Sequence, residues 1–122
     1  MVFSRIIGAA ALVALASGTV AQADAWALFV VNSTGKSIYK IEVAPAATSA
    51  WSPAPFNPNN GTRLDSGARR EIDFYREADK CRYDLRATFS DLSAAVYSGV
   101  NVCDYSYVTL KLVNGKAAFT GD

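Results

Sequence analysis

From Trp26 onward, apolar and polar residues mostly alternate, the period-2 pattern of half-buried β-strands. The clearest case is central. Cys81, Tyr83, Leu85, Ala87 and Phe89 share one phase, and Arg82, Asp84, Arg86 and Thr88 share the other. A three-residue loop at Asp91, Leu92 and Ser93 would turn this strand back on the segment Ala94–Cys103. Pairing Ser90 with Ala94 then sets Cys81 opposite Cys103, within reach of a disulfide. Unbulged pairing would put Val100 and Val102 on the polar face. A one-residue bulge repairs this, and Gly99 is the natural place for it.

The same reading predicts the other strands. Trp26–Val31 is a continuous apolar run, Asn32–Gly35 a turn, and Ser37–Val43 an alternating strand with Tyr39, Ile41 and Val43 in phase. These two segments read as a first hairpin, stopped by Ala44 and Pro45. Arg70–Tyr75 is a strand with Ile72 and Phe74 inward, and Arg76–Lys80 a charged connection. Tyr107–Val113 points Val108, Leu110 and Leu112 inward. Asn114-Gly115 is a strong hairpin turn, and Lys116–Phe119 a last strand. The expectation is all-β: an antiparallel β-sandwich of about seven short strands, immunoglobulin-like in outline, with one disulfide.

Residues 46–67 break the pattern. Trp51–Gly61 holds three prolines, three asparagines and a glycine, and reads as a long mobile loop. Prolines lack the backbone donor that a ladder requires. Trp51, Phe56, Asn57, Asn59 and Asn60 are its candidate binding residues, because exposed loop aromatics are common contact anchors. The competing expectation is that both rings pack over the end of the sandwich.

Ahead of the strands, Arg5, the apolar run Ile6–Ala16 and the small-residue site Ala21-Gln22-Ala23 read as an export signal over residues 1–23. The apolar run is too short for an uncleaved span of about 20 residues. Residues 24–122 are then one β-sandwich domain. The 122-residue chain has 12 basic and 11 acidic residues, and losing Arg5 balances the charge. That leaves no electrostatic footprint for nucleic acid or an anionic membrane. Two cysteines in an exported chain read as a disulfide.

Candidate chemistry is thin. The chain has no histidine, so histidine-dependent acid–base, metal and nucleophile arrangements are excluded. Asp79, Asp84, Asp91 and Asp104 are the carboxylates a small hydrolase or lyase would draw on. Asp84, between Arg82 and Arg86, reads as a rung of an exposed charge ladder, or else as a buried group that orients a turn. Asn57, Asn59, Asn60 and Asp65 offer a weak calcium site, short of the several carboxylates calcium prefers. Asn32-Ser33-Thr34 and Asn60-Gly61-Thr62 match a glycosylation sequon. No cofactor is expected. The partner expected is an unknown protein or small ligand, with no stable membrane anchor after signal cleavage.

Several pieces taken together carry a resemblance. They are the signal-like start, Phe29–Gly35, the Ile38/Ile41/Val43 strand, Trp51, Leu64 with Gly67, Cys81-Arg-Tyr-Asp-Leu-Arg86 and Asn101-Val-Cys103. The chain resembles a family of small exported bacterial proteins of unknown function. Its members carry labels such as Tat pathway signal protein or argininosuccinate lyase. The lyase label does not suit a chain this short and without histidine. Where the family has Gly after its tryptophan, Ser52-Pro53 follows Trp51, and where it has Asp-Gly at the central turn this chain has Asp91-Leu92. The resemblance implies a periplasmic or secreted location and no activity. The chain is therefore expected to be an exported, non-catalytic binding or structural module.

Overall fold

A computed structural model describes residues 23–59, 61 and 63–122. The expected export signal, apart from Ala23, and Asn60 with the second sequon lie outside the described residues. The described chain forms nine strands: β1 (Ala23–Ser33), β2 (Ile38–Pro45), β3 (Ser52–Pro53), β4 (Phe56–Asn57), β5 (Arg69–Glu77), β6 (Arg82–Phe89), β7 (Ala94–Asn101), β8 (Tyr107–Val113) and β9 (Lys116–Gly121). Seven are full strands, as the alternation predicts. They make a two-sheet sandwich, ordered β4-β5-β1-β8-β9 and β3-β2-β6-β7. All pairings are antiparallel except β1 with β8, which is parallel.

The core fills the space between the inner faces. Leu28 and Val30 of β1, Ile72 and Phe74 of β5, and Val108 and Leu110 of β8 meet Ile41, Val43, Tyr83, Leu85, Phe89, Tyr97 and Val100 from the other sheet. Tyr97 also links the sheets. Its ring is fully buried, and its hydroxyl donates to the Lys111 carbonyl at 3.1 Å. Burial pushes its phenol pKa up to about 12, against 10 for an exposed phenol. The unfolded chain ionises first, so stability holds below pH 10 and falls as pH rises toward 12. The loss by pH 12 is about 2–3 kcal/mol. Urea denaturation at stepped pH checks this: Tyr97→Phe should flatten the alkaline limb, having given up one hydrogen bond worth about 1 kcal/mol at neutral pH.

Several expectations are corrected. β1 and β2 do not form a hairpin, because they lie in opposite sheets. The turn between them is a crossing built on Asn32, which is fully buried. Its amide donates to the Lys36 and Leu64 carbonyls at 2.7 and 2.9 Å, and its oxygen accepts from the Thr34 amide and hydroxyl. Both amide hydrogens are in use, so this sequon cannot carry a glycan in the folded chain. Tyr39 does not join Ile41 and Val43 in the core. A bulge between Ile38 and Lys40 turns it outward and puts Ile38 inside.

The central hairpin forms with a shifted register. Ala94 faces Thr88 rather than Ser90, and Phe89 takes the last turn hydrogen bond, from its amide to the Ser93 carbonyl at 2.8 Å. The loop is therefore Ser90-Asp91-Leu92. Leu92 takes the left-handed position (φ 71°) that a three-residue hairpin loop requires. Asp91 closes the turn by accepting from the Ser93 amide at 3.0 Å. The bulge falls where it was expected. Tyr83 faces Val100 and Leu85 faces Tyr97, so Asp84 alone faces Ser98 and Gly99, with Gly99 at φ 69°. Beyond it Val100 and Val102 turn inward, and Cys81 and Cys103 are joined, their Cα atoms 5.2 Å apart. Asp84 is no exposed ladder rung. It is buried, and it accepts from the amides of Gly99 and Ala47 at 2.9 and 3.0 Å.

Residues 52–57 are more regular than a loop. Ser52, Pro53, Pro55 and Asn57 are exposed, while Ala54 and Phe56 are buried, which is strand alternation. This strap, residues 52–57, leaves the β2 edge at β3, crosses the side of the sandwich and joins the β5 edge at β4. The Ala54 amide donates to Ile41 and the Asp73 amide to the Pro55 carbonyl. Edge strands tolerate proline because one flank needs no donor, so these prolines blunt two sheet edges.

Candidate functional site

The outward positions of β5 are Glu71, Asp73, Tyr75 and Glu77, since Ile72 and Phe74 face the core. Across the ladder, Tyr75 faces Ala25 and Asp73 faces Ala27. Two alanines opposite a tyrosine and an aspartate leave a hollow in the sheet surface. The strap walls one side of it with Pro53 and Pro55. The result is a cleft of about 480 Å³, lined also by Trp26 and Phe74. A second cleft of about 290 Å³ lies beyond Tyr75, lined by Pro45, Ser52, Pro53, Glu77 and Tyr83 among others. Tyr75 stands between the two and is 75% exposed.

The sheet behind the cleft is held from its inner face. The Trp26 indole donates to the Val102 carbonyl at 3.0 Å. The Arg76 guanidinium lies 4.2 Å from the centre of the Trp26 ring. Arg76 is itself buried. It donates to the Glu77, Ala78 and Lys80 carbonyls and pairs with Asp24 at 3.4 Å. It therefore holds both the β5–β6 turn and the Trp26 ring behind the cleft. Alternation assigned it only to a charged connection, and no local pattern marks a buried arginine. Among the described residues, no side chain pairs with Asp73, and no basic side chain lines either cleft.

The expected site residues are placed apart. Phe56 is core, 6% exposed. Asn57 is exposed and donates to Glu71. Asn59 borders a small hollow with Tyr39 and Gly61. Trp51 is half-buried on the opposite outer face, its ring 4.4 Å from the Arg86 guanidinium, which in turn holds Glu42 at 3.0 Å. Of this segment, Pro53 and Pro55 rather than Trp51 and Phe56 wall the main cleft. Trp51→Ala should cost about 1–2 kcal/mol, mainly the stacked guanidinium and half a ring of burial. Urea denaturation checks this, and a larger loss would make Trp51 a core residue.

Carboxylates do not converge. Asp91 lies at one end of β6, held by Lys36 at 2.8 Å, while Asp79 and Asp104 lie beyond its other end and Asp84 holds backbone amides. The hydrogen bond from Arg86 is the main cause that holds Glu42 low. The hydrogen bond from Lys36 does the same for Asp91. Both shifts run opposite to what a general acid requires. Asp65 pairs with Arg63 at 2.8 Å and accepts from Ser37, away from a shared ion position with Asn57. Among the described residues, no group of three or more metal-ligating side chains is gathered, and no helix is long and apolar enough to cross a membrane.

No family model and no curated protein matches the chain. Among solved structures, the NMR structure of a protein from Eubacterium rectale is similar, with a TM-score of 0.52 at 17% identity. The match covers 80% of this chain and 87% of that chain. At that identity the likeness carries the fold and nothing more.

Proposed function

We propose that this chain is an exported, non-catalytic binding module whose ligand site is the cleft between β1, β5 and the strap. The observation that carries the reading is the cleft itself. It is concave and largely apolar, with one charged group, Asp73, as binding sites commonly are. The carboxylate-based hydrolase or lyase needs two acids meeting in a cleft. Asp73 and Glu77 stand on either side of Tyr75, four residues apart on one extended strand, about 13 Å along it.

The disulfide suits an oxidising compartment. Export through residues 1–23 fits the ladder: cleavage after Ala23 leaves β1 intact from the Asp24–Arg76 pair onward. N-terminal sequencing of the exported protein should read from Asp24.

The site is tested by titrating isotope-labelled residues 24–122 with small aromatic and aliphatic fragments, neutral and charged. Amide shifts should cluster at Ala25, Ala27, Asp73 and Tyr75. Shifts spread evenly over both sheets, or none, would refute a built site.

A further inference from the structure

We infer that the cleft selects an organic cation, an ammonium or guanidinium carried on an apolar stem. The inference rests on the cleft being the ligand site and names the chemistry of its occupant. Asp73 and Tyr75 share one face of β5, two residues apart, about 7 Å along the strand. A cation between them would touch a carboxylate on one side and an aromatic face on the other. That pairing favours cations over neutral groups of the same shape.

Three features of the surroundings support the charge sign. No basic side chain lines the cleft, so Asp73 is not already neutralised from within it. The next outward residue beyond Tyr75 is another acid, Glu77, which lines the neighbouring cleft. On the same strand Arg76 faces inward and is committed to Trp26, Asp24 and three carbonyls. The apolar stem has its own place, since Ala25, Ala27, Pro53 and Pro55 line the rest of the cleft together with Trp26 and Phe74.

The same chemistry comes from a free amine or from a lysine or arginine side chain of a peptide, and the test separates them. The probes are phenethylammonium, phenethyl alcohol as its neutral counterpart, and the capped tripeptide acetyl-Ala-Lys-Ala-amide. Each is titrated into labelled protein, with shifts read at Ala25, Ala27, Asp73 and Tyr75. The amine should bind at least tenfold more tightly than the alcohol. Asp73→Asn should remove that preference. Ala25→Phe, filling the cleft from the facing strand, should abolish binding of all three. A tripeptide binding more tightly than the amine assigns the site to a basic chain segment, and the reverse assigns it to a free amine. If the alcohol binds at these residues as tightly as the amine, the cation inference is overturned and the binding site stands. If no probe shifts these residues, both fall.

Discussion

Cys103→Ser is expected to lower the stability of the exported domain by about 3 kcal/mol, within a range of about 2–5. The bridge closes a loop of sequence separation 22. Loop closure of that size removes about 3 kcal/mol of unfolded-state entropy in the chain-entropy account. The native side adds to it. The bridge lies just past the Gly99 bulge, where the β6–β7 ladder has only the Tyr83–Val100 and Arg82–Asn101 pairs left, followed by the Val102 amide bond to Cys81. The Val102 carbonyl also holds the Trp26 indole. Freeing this corner should therefore loosen the Trp26 end of β1 behind the cleft as well as the hairpin. Urea denaturation gives the stability change. A reductant should destabilise the native protein and leave Cys103→Ser unaffected. Tryptophan emission should shift in the variant before global unfolding. Two free thiols in the non-reduced native protein would contradict the bridge.

How much of this was legible depended on the range of the physics. Alternation within β5, β6 and β8 reports which face meets a core, whatever sheet each strand joins, so Ile72, Phe74, Leu85, Val108 and Leu110 were placed correctly. The Gly99 bulge was legible because only an extra residue reconciles Val100 and Val102 with the facing strand. The partner of a strand is a different matter. A turn of Asn32–Gly35 looks the same whether the chain returns to its own sheet or crosses to the other. What decides is that the buried Asn32 amide reaches the Leu64 carbonyl, 32 residues away. The strap failed for a related reason. Proline density reads as loop, yet Ala54 and Phe56 between the prolines are buried at strand period, and an edge accepts a missing donor. The cleft was least legible. It exists because alanines on β1 face Asp73 and Tyr75 on β5, and that pairing is set by a register between strands more than forty residues apart.

Asp84→Ala is expected to cost about 2–4 kcal/mol, although it removes only a small side chain from β6. The carboxylate sits in the middle strand of three. On one side it accepts from Gly99, at the bulge of β7. On the other it accepts from Ala47, in the turn that ends β2. Neither amide has a ladder partner, because the bulge takes Gly99 out of register and Ala47 lies past the last β2 pair, Pro45 with Tyr83. Hydrogen bonds to a charged acceptor are each worth about 1.5–3 kcal/mol. The two bonds share one acceptor, so their losses do not simply add. Asp84→Asn separates the contributions. Its carbonyl oxygen can serve one amide, but its NH2 group meets the other N–H donor to donor, so it should lose at least half as much as Asp84→Ala. Hydrogen exchange locates the effect: the Gly99 and Ala47 amides should lose protection in both variants, while Leu85 and Ala87 on the same strand keep theirs. A loss of stability with both amides still protected would mean that Asp84 acts elsewhere.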